Sequence, residues 1–244
     1  MSTLKSIFIF TLFAILLNAC SSEFGQKING NGELIKITRE TSDYDILNLS
    51  GWMDFELVDG TEGNITIEGE SNLLDYIITE TDGKTLTIKV ENNTSLNTST
   101  NKTIKIIIPF KDLSKVSLSG SGDVTSNTRI NAETFKARIS GSGDIVLAVN
   151  AEEITANVTG SGDLTLKGQT ERLETTVTGS GNFHGYALTT KHANANVTGS
   201  GDVDVMVLEH LKARVTGSGD IYYKGTPKQV DQKVTGSGDI RLKK

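Results

Sequence analysis

The sequence predicts an all-β protein: a single-stranded parallel β-helix, or β-solenoid, expected to wind right-handed with about 19 residues per coil. Three observations point there. With 25 glycines, only 2 prolines and 6% aromatic residues among 244, the composition describes many tight turns and thin cores rather than a helical bundle. A Gly-Ser-Gly block followed by Asp or Asn returns seven times, at spacings of 21, 19, 19, 20, 18 and 19 residues. Around every block apolar and polar residues alternate with period two, which is the pattern of a half-buried strand.

The chain opens on "MSTLKSIFIFTLFAILLNAC", a polar start carrying Lys5 and then an apolar run from Ile7 to Leu17. At about 1.5 Å per residue this run falls short of a bilayer core of roughly 30 Å, so residues 1–19 read as a secretory signal peptide. Leu17, Asn18, Ala19 and Cys20 resemble the lipobox of bacterial lipoproteins, which implies acyl chains on Cys20. Cys20 is the only cysteine, so the chain forms no internal disulfide. Two or three acyl chains hold a protein firmly where one is marginal, and the expected partner of this end is a membrane. Residues 20–40 then read as the lipidated cysteine and a tether, because "SSEFGQKINGNGE" is small and polar. Loss of Lys5 with the leader takes the formal charge from −6 to −7. Nucleic-acid binding, which depends on Lys and Arg against phosphates, is excluded as a function class.

Residues 41–115 lack the block but keep the alternation, in "YDILNLSG", "MDFELVDG", "NITIEG", "KTLTIKVE" and "KTIKIIIP". They are expected to form irregular coils of the same solenoid, with a separate β-sandwich as the alternative. "SNLLDYI" reads as a short helical turn, and the polar tract from Asn92 to Lys102 as a loop.

Residues 116–244 are the regular part. Two places before each block stand Leu118, Ile139, Val158, Val177, Val197, Val215 and Val234; directly after the acid stand Val124, Ile145, Leu164, Phe183, Val203, Ile221 and Ile240. Each repeat is read as a strand, the block, a second strand such as "LTLKG", and a polar return such as "QTER" that absorbs the variation in length. A unit of about 19 residues cannot bury its own apolar face, so the units stack, each strand pairing with its equivalent in the next coil. At about 4.8 Å per coil the seven blocks span roughly 29 Å.

Taken together, the lipobox, "GESNLLDYIITETDGKTLTIKV" and "LSKVSLSGSGDV" opening the run of repeats resemble the auto-transporter adhesin family with the head GIN domain, common in Bacteroidetes. The resemblance covers one continuous domain, residues 41–244, and implies a secreted β-helical protein concerned with adhesion. Since "GSGDIRLKK" is not followed by a membrane barrel, the lipid is expected to hold the protein at the outer membrane, in the cell envelope.

The block itself invites a chemical reading. Its residues are Gly120, Gly122 and Asp123; Gly141, Gly143 and Asp144; Gly160, Gly162 and Asp163; Gly179, Gly181 and Asn182; Gly199, Gly201 and Asp202; Gly217, Gly219 and Asp220; Gly236, Gly238 and Asp239. A phosphate-binding loop needs a following helix with free amides, and here a strand follows every copy. Stacked aspartates suggest calcium, but hard cations want six to eight oxygen ligands and each turn supplies one acid. The reading adopted is structural: the glycines take backbone angles closed to other residues, and each acid accepts hydrogen bonds from nearby amides. Asn182 fits it, since Asn accepts the same bonds without charge.

No metal or cofactor is called for. The hydroxyl column Ser119, Ser140, Thr159, Thr178, Thr198, Thr216 and Thr235 reads as β-propensity on a solvated face. His184, His192 and His210 read as surface positions. With no usable cysteine and no Gly-x-Ser-x-Gly elbow, nucleophilic catalysis has no support, and no enzyme is expected. The expected function is a non-enzymatic structural or interaction module, an adhesin by family. Its glycan or protein ligand would be met at the variable returns, the Asn92–Lys102 tract or Trp52. A carbohydrate-processing β-helix enzyme and a cation-stabilised rod are the alternatives.

Overall fold

The structure is a computed structural model that describes residues 25–244. Residues 1–19, expected to be a signal peptide, and Cys20 lie outside them. The chain is almost entirely β, in stacked parallel coils about 19 residues apart, a solenoid of about 7 turns. Two short strands come first, β1 (Gln26–Asn29) and β2 (Leu34–Glu40). Next are β3 (Ile46–Gly51), β4 (Asp54–Asp59) and β5 (Asn64–Glu70). A 3-10 turn at Leu74–Tyr76 leads into β6 (Ile77–Asp82), β7 (Thr85–Val90), β8 (Thr94–Asn97) and β9 (Lys105–Phe110). The regular region holds β10 (Lys115–Gly120), β11 (Val124–Gly141), β12 (Ile145–Gly160), β13 (Leu164–Gly179), β14 (Phe183–Gly199) and β15 (Val203–Gly217). It closes with β16 (Ile221–Lys224), β17 (Gln229–Gly236) and β18 (Ile240–Leu242).

The long strands β11 to β15 show why the repeat is so regular. Each is one extended path that bends around a coil and pairs in parallel with the same residues one repeat on, as in Ile154↔Leu173, Val158↔Val177 and Gly160↔Gly179. The alternation therefore points every second side chain inward along a continuous column. The residues flanking the blocks are buried from Leu118 to Val215 and from Val124 to Ile221, and all belong to one hydrophobic cluster. In the last coil Val230 and Val234 are exposed, and Leu242 with them.

The returns differ from expectation. They are not loops outside the ladder: Gln169 and Thr170 pair with Thr189 and Thr190 of the next coil. An extended return can satisfy its backbone groups against its equivalent, which an irregular loop could not do at this depth. Variation in repeat length is taken up by register shifts instead, between Thr125 and Arg129, between Thr165 and Gly168, and between Gly185 and Thr189.

The first half of the chain joins the same stack. β3 pairs in parallel with β10 in the register Leu49↔Leu118 and Gly51↔Gly120, and β7 pairs in parallel with β3. From β7 to β17 nine strands thus run in one parallel ladder, roughly 38 Å long at about 4.8 Å per step. On the adjoining side β4 pairs with β11 and β9. Beyond these, direction reverses: β6 lies antiparallel on β7, β5 on β9, and β2 on β5. The antiparallel strands close this end of the core.

Residues 26–40 also differ from the tether read from sequence. β2 is held by β5, and β1 pairs in parallel with β8 inside the tract read as a loop. Polar composition hid both strands because β1 and β8 use one another's backbone and bury little. Two polar contacts, one buried and one half-buried, fasten the region. The Glu70 carboxylate, fully buried, accepts from the Gly32 amide at 2.6 Å, the Ser99 amide at 2.8 Å and the Ser99 hydroxyl at 2.6 Å. From β2, Arg39 donates to the carbonyls of Ile77 and Leu74, tying the strand to the 3-10 turn.

Candidate functional site

The repeated block turns out to be a set of joints between coils. In each, the first glycine has a positive φ, 139° at Gly141 for example. Its carbonyl then accepts two amides from the following coil: Ser142 and Gly143 donate to Gly120 O at 2.8 and 3.1 Å, and the same pair recurs down to Ser237 and Gly238 on Gly217 O. Close approach explains the second glycine. A Cβ at Gly143 would lie 2.0 Å from the backbone oxygen of Gly122, so no side chain fits without parting the coils.

The acid completes the joint through its side chain. Oδ1 of Asp123, Asp144 and Asp163 accepts the amide of the acid or amide residue one coil on, Asp144, Asp163 and Asn182, at 3.1, 2.8 and 3.0 Å. Asn182 Oδ1 accepts from Asp202 at 2.9 Å, and the chain continues through Asp220 and Asp239 at 2.8 and 2.7 Å. Asn182 also donates Nδ2 to Asp163 Oδ1 at 2.9 Å, a bond a carboxylate could not make. The residue's carbonyl is used as well, as in Ile145 N to Asp163 O at 3.0 Å. The bonds run between coils rather than within one turn, which the linear sequence could not show.

Remaining carboxylate oxygens meet local partners. Tyr222 donates to Asp220 Oδ2 at 2.6 Å and holds that carboxyl below its usual range, while Arg241 pairs with Asp239. His184 lies between Asp163 and Asp204, at 3.6 and 3.4 Å. The acids do not converge on a cation cage: among the described residues no three of them bring ligand atoms within 4.8 Å of one another.

What faces outward is then the candidate interaction surface. Six of the seven hydroxyls of the column from Ser119 to Thr235 sit on exposed residues, and Ser140 is half-buried. The returns line a groove along one corner, where Asn150, Glu152, Gln169, Glu171, Thr189, Lys191 and Leu208 are gathered over the small Ala132 and Ala151. A second groove beside it is lined by Glu153, Arg172, Glu174, His192, His210, Lys212 and Asp231. Near the closed end, Trp52 comes together with Asn29, Gly30 and Leu96–Ser99 in a third hollow. Two of the suspected binding features, Trp52 and the 92–102 tract, thus meet in one place. Trp52 itself is half-buried against the core.

An additional copy of the joint escaped the sequence reading. Gly51, φ 116°, pairs with Gly120 and gives its carbonyl to Ser121 and Gly122, so "GWMD" at 51–54 is the first block of the stack. Met53, fully buried, stands where the later copies have glycine. The signal was the 69-residue offset shared by Ser50-Gly51 and Ser119-Gly120 with the apolar Leu47 and Leu49. His192 and His210, read only as surface positions, occupy paired positions on neighbouring coils. Their 18-residue spacing, equal to that of Gly199 and Gly217, carried this.

Solved structures share this architecture. An adhesin structure from Bacteroides fragilis, described as putative, superimposes with a TM-score of 0.82 at 21% identity, covering 88% of this chain and 100% of that one. A "putative lipid binding protein" from Parabacteroides distasonis gives 0.73 at 27% identity over 90% of this chain and 100% of its own. A "putative adhesin" from Parabacteroides merdae gives 0.70 at 22%, again over 90% and 100%. Among curated proteins none matches. The family described as "Putative auto-transporter adhesin, head GIN domain" matches residues 43–227, from just before β3 to just before β17, and the chain belongs to that family.

Proposed function

We propose that the protein is a lipid-anchored, non-enzymatic interaction module of the cell envelope, adhesin-like in role, carried on Cys20 at the outer membrane. The observation that carries this reading is the use of the repeated block: its amides, carbonyls and acids are engaged between coils, so conservation of the block within the chain serves rigidity. The outward columns and the corner grooves are left to vary and to meet a glycan or protein. Relatives named as adhesins support such a role. A relative named as lipid binding is compatible with work close to a bilayer.

The position of β1 sharpens the geometry. Only residues 21–24 separate Cys20 from the first described residue, a reach of at most about 18 Å from Cys20 to Gly25. The closed end of the rod would then sit at the membrane and the open coils would project away from it. The experiment is fractionation and protease treatment of cells carrying the full chain, beside a Cys20→Ala variant and an adherence assay against host-type glycans. Membrane-bound, protease-accessible wild type that promotes adherence, with the variant released from the membrane, supports the reading. Wild type that remains soluble, or that is fully protected and without effect on adherence, overturns it.

A further inference from the structure

The corner of the solenoid carries a ladder column of its own: Glu153, Arg172, His192, His210 and Gln229 are paired in register through β12 to β17. Its middle is unlike the rest. The imidazoles of His192 and His210 stack with centroids 5.0 Å apart and planes 15° from parallel. Glu209, next to His210, brings its carboxylate to the same place, and ligand atoms of all three lie within 4.8 Å of one another. This is the only such trio of His, Cys, Asp or Glu among the described residues.

Three features set the trio apart from an ordinary surface ladder. Neither imidazole takes part in any side-chain hydrogen bond among the described residues, whereas His184 meets two aspartates. Glu209 has no ion pair among them, although the cations around it are taken: Arg172 Nε donates to Glu153 at 2.7 Å, and Lys191 donates to Glu171 at 2.7 Å. The backbone beneath is also fixed, because the Thr190 hydroxyl, fully buried, donates to the His192 carbonyl at 3.1 Å. A corner held from inside thus presents two unused nitrogen donors and one unneutralised carboxylate, with neighbouring positive charge already compensated.

We propose that His192, Glu209 and His210 form a binding site for a divalent transition-metal ion of the zinc class. Two imidazoles and a carboxylate are the donor set that suits zinc, and bond lengths are about 2.0–2.2 Å. Three atoms at mutual distances up to 4.8 Å stand no more than about 2.8 Å from a common centre, so each moves inward by about 0.7 Å while the two stacked rings turn out of parallel to aim their in-plane lone pairs at the ion, movements open to side chains that are not fully buried. Parallel stacking sets two histidines one coil apart, and the side-chain flexibility of Glu209 closes the triangle. The protein supplies three ligands from one side only. Both histidines line the groove that also holds Glu174, Lys212 and Asp231, which leaves a fourth position for water or a donor atom of a bound partner.

The test is calorimetric titration of untagged, detergent-solubilised full-length protein with Zn2+ alone, beside His192→Ala, His210→Ala, the double variant, Glu209→Gln and His184→Ala. One saturable zinc per chain is expected. Loss of outer-shell partners alone costs metal sites about 10–100-fold in affinity, so loss of either histidine is expected to cost at least about 10-fold. The double variant is expected to lose the site, Glu209→Gln to weaken it less, and His184→Ala to leave it unchanged. Circular dichroism melts without metal, expected to match wild type for every variant, separate loss of a ligand from loss of the fold. Absence of saturable zinc binding by wild type, or a double variant that folds as wild type and binds zinc as tightly, overturns the proposal.

Discussion

Replacing Asp163 by alanine and by asparagine separates the two things an aspartate can contribute to the joint, an acceptor oxygen and a charge. Asp163 Oδ1 accepts the Asn182 amide at 3.0 Å and its Nδ2 at 2.9 Å, and alanine removes both bonds. A hydrogen bond to a charged group contributes about 1.5–3 kcal/mol net, but the Asp163 side chain is 38% exposed and water replaces part of the loss. The lower end applies, about 1.5–2 kcal/mol for Asp163→Ala, which for a chain of this size lowers the melting midpoint by roughly 3–8 °C. Asparagine keeps the acceptor, as Asn182 does for Asp202, and removes one charge from a column of acids one coil apart. Neighbouring carboxylates at about 4.8 Å repel by only around 1 kcal/mol in water before screening. Asp163→Asn is therefore expected within about 1 kcal/mol of wild type. Thermal melts by circular dichroism, in chelator and in millimolar calcium, read both variants. Equal destabilisation by Asn and Ala, or a calcium-dependent gain that Asp163→Asn abolishes, would show that charge rather than the acceptor oxygen matters and refute the reasoning.

Three further outcomes follow from the packing. Gly143→Ala sets a Cβ 2.0 Å from the Gly122 carbonyl, backbone against backbone, and is expected to cost more than about 3 kcal/mol, read as lost soluble yield or a melt lowered beyond that of Asp163→Ala. Thr175 is buried with its hydroxyl unpartnered, in a column where the two coils on either side have Ala137, Ala156, Ala195 and Ala213; Thr175→Val keeps the shape and is expected to gain about 1 kcal/mol, seen as a melt raised by roughly 2–4 °C. The Ser99 hydroxyl, with the Ser99 and Gly32 amides, outweighs burial and holds the Glu70 carboxyl below the usual range. A lowered folded value means stabilisation that is present above the ordinary carboxylate range near pH 4.3 and lost as pH falls through the folded value. Protection of the amides around residues 30–33 and 97–99, taken against their intrinsic exchange rates at each pH, is expected to fall as the solution is acidified below the ordinary carboxylate range in wild type, and to lose that dependence in Glu70→Gln; identical profiles would remove Glu70 as the cause.

What the sequence revealed, and what it hid, divides by distance along the chain. The coil, its apolar columns and the role of the glycines were legible because the repeat writes each contact into a fixed offset of 18 to 21 residues. Val158 and Val177 need no fold-level reasoning to be placed one above the other. The strands β1, β2 and β8 were not legible, because their partners lie 24 to 68 residues away with no repeated motif to mark them. The returns looked like loops because charge and small residues suit a solvated corner as well as a turn, and the ladder through them exists only when coils are stacked. The same holds for the site at the corner: His192 and His210 are unremarkable alone and become a pair only in the register of β14 on β15. Trp52 and Met53 concealed the first joint by replacing serine and glycine, at the place where no earlier coil of the same kind presses on the backbone.

The most direct test of the joint as a structural device is residue-resolved amide exchange on the folded protein. The amides of Asp144, Asp163, Asn182, Asp202, Asp220 and Asp239, each bonded to the side chain one coil before, are expected to exchange as slowly as ladder amides such as those of Val158 and Val177. Exchange of these six at the rate of unprotected loop amides, while the strands stay protected, would contradict the account, because the acids would then be free at the surface and available for another task.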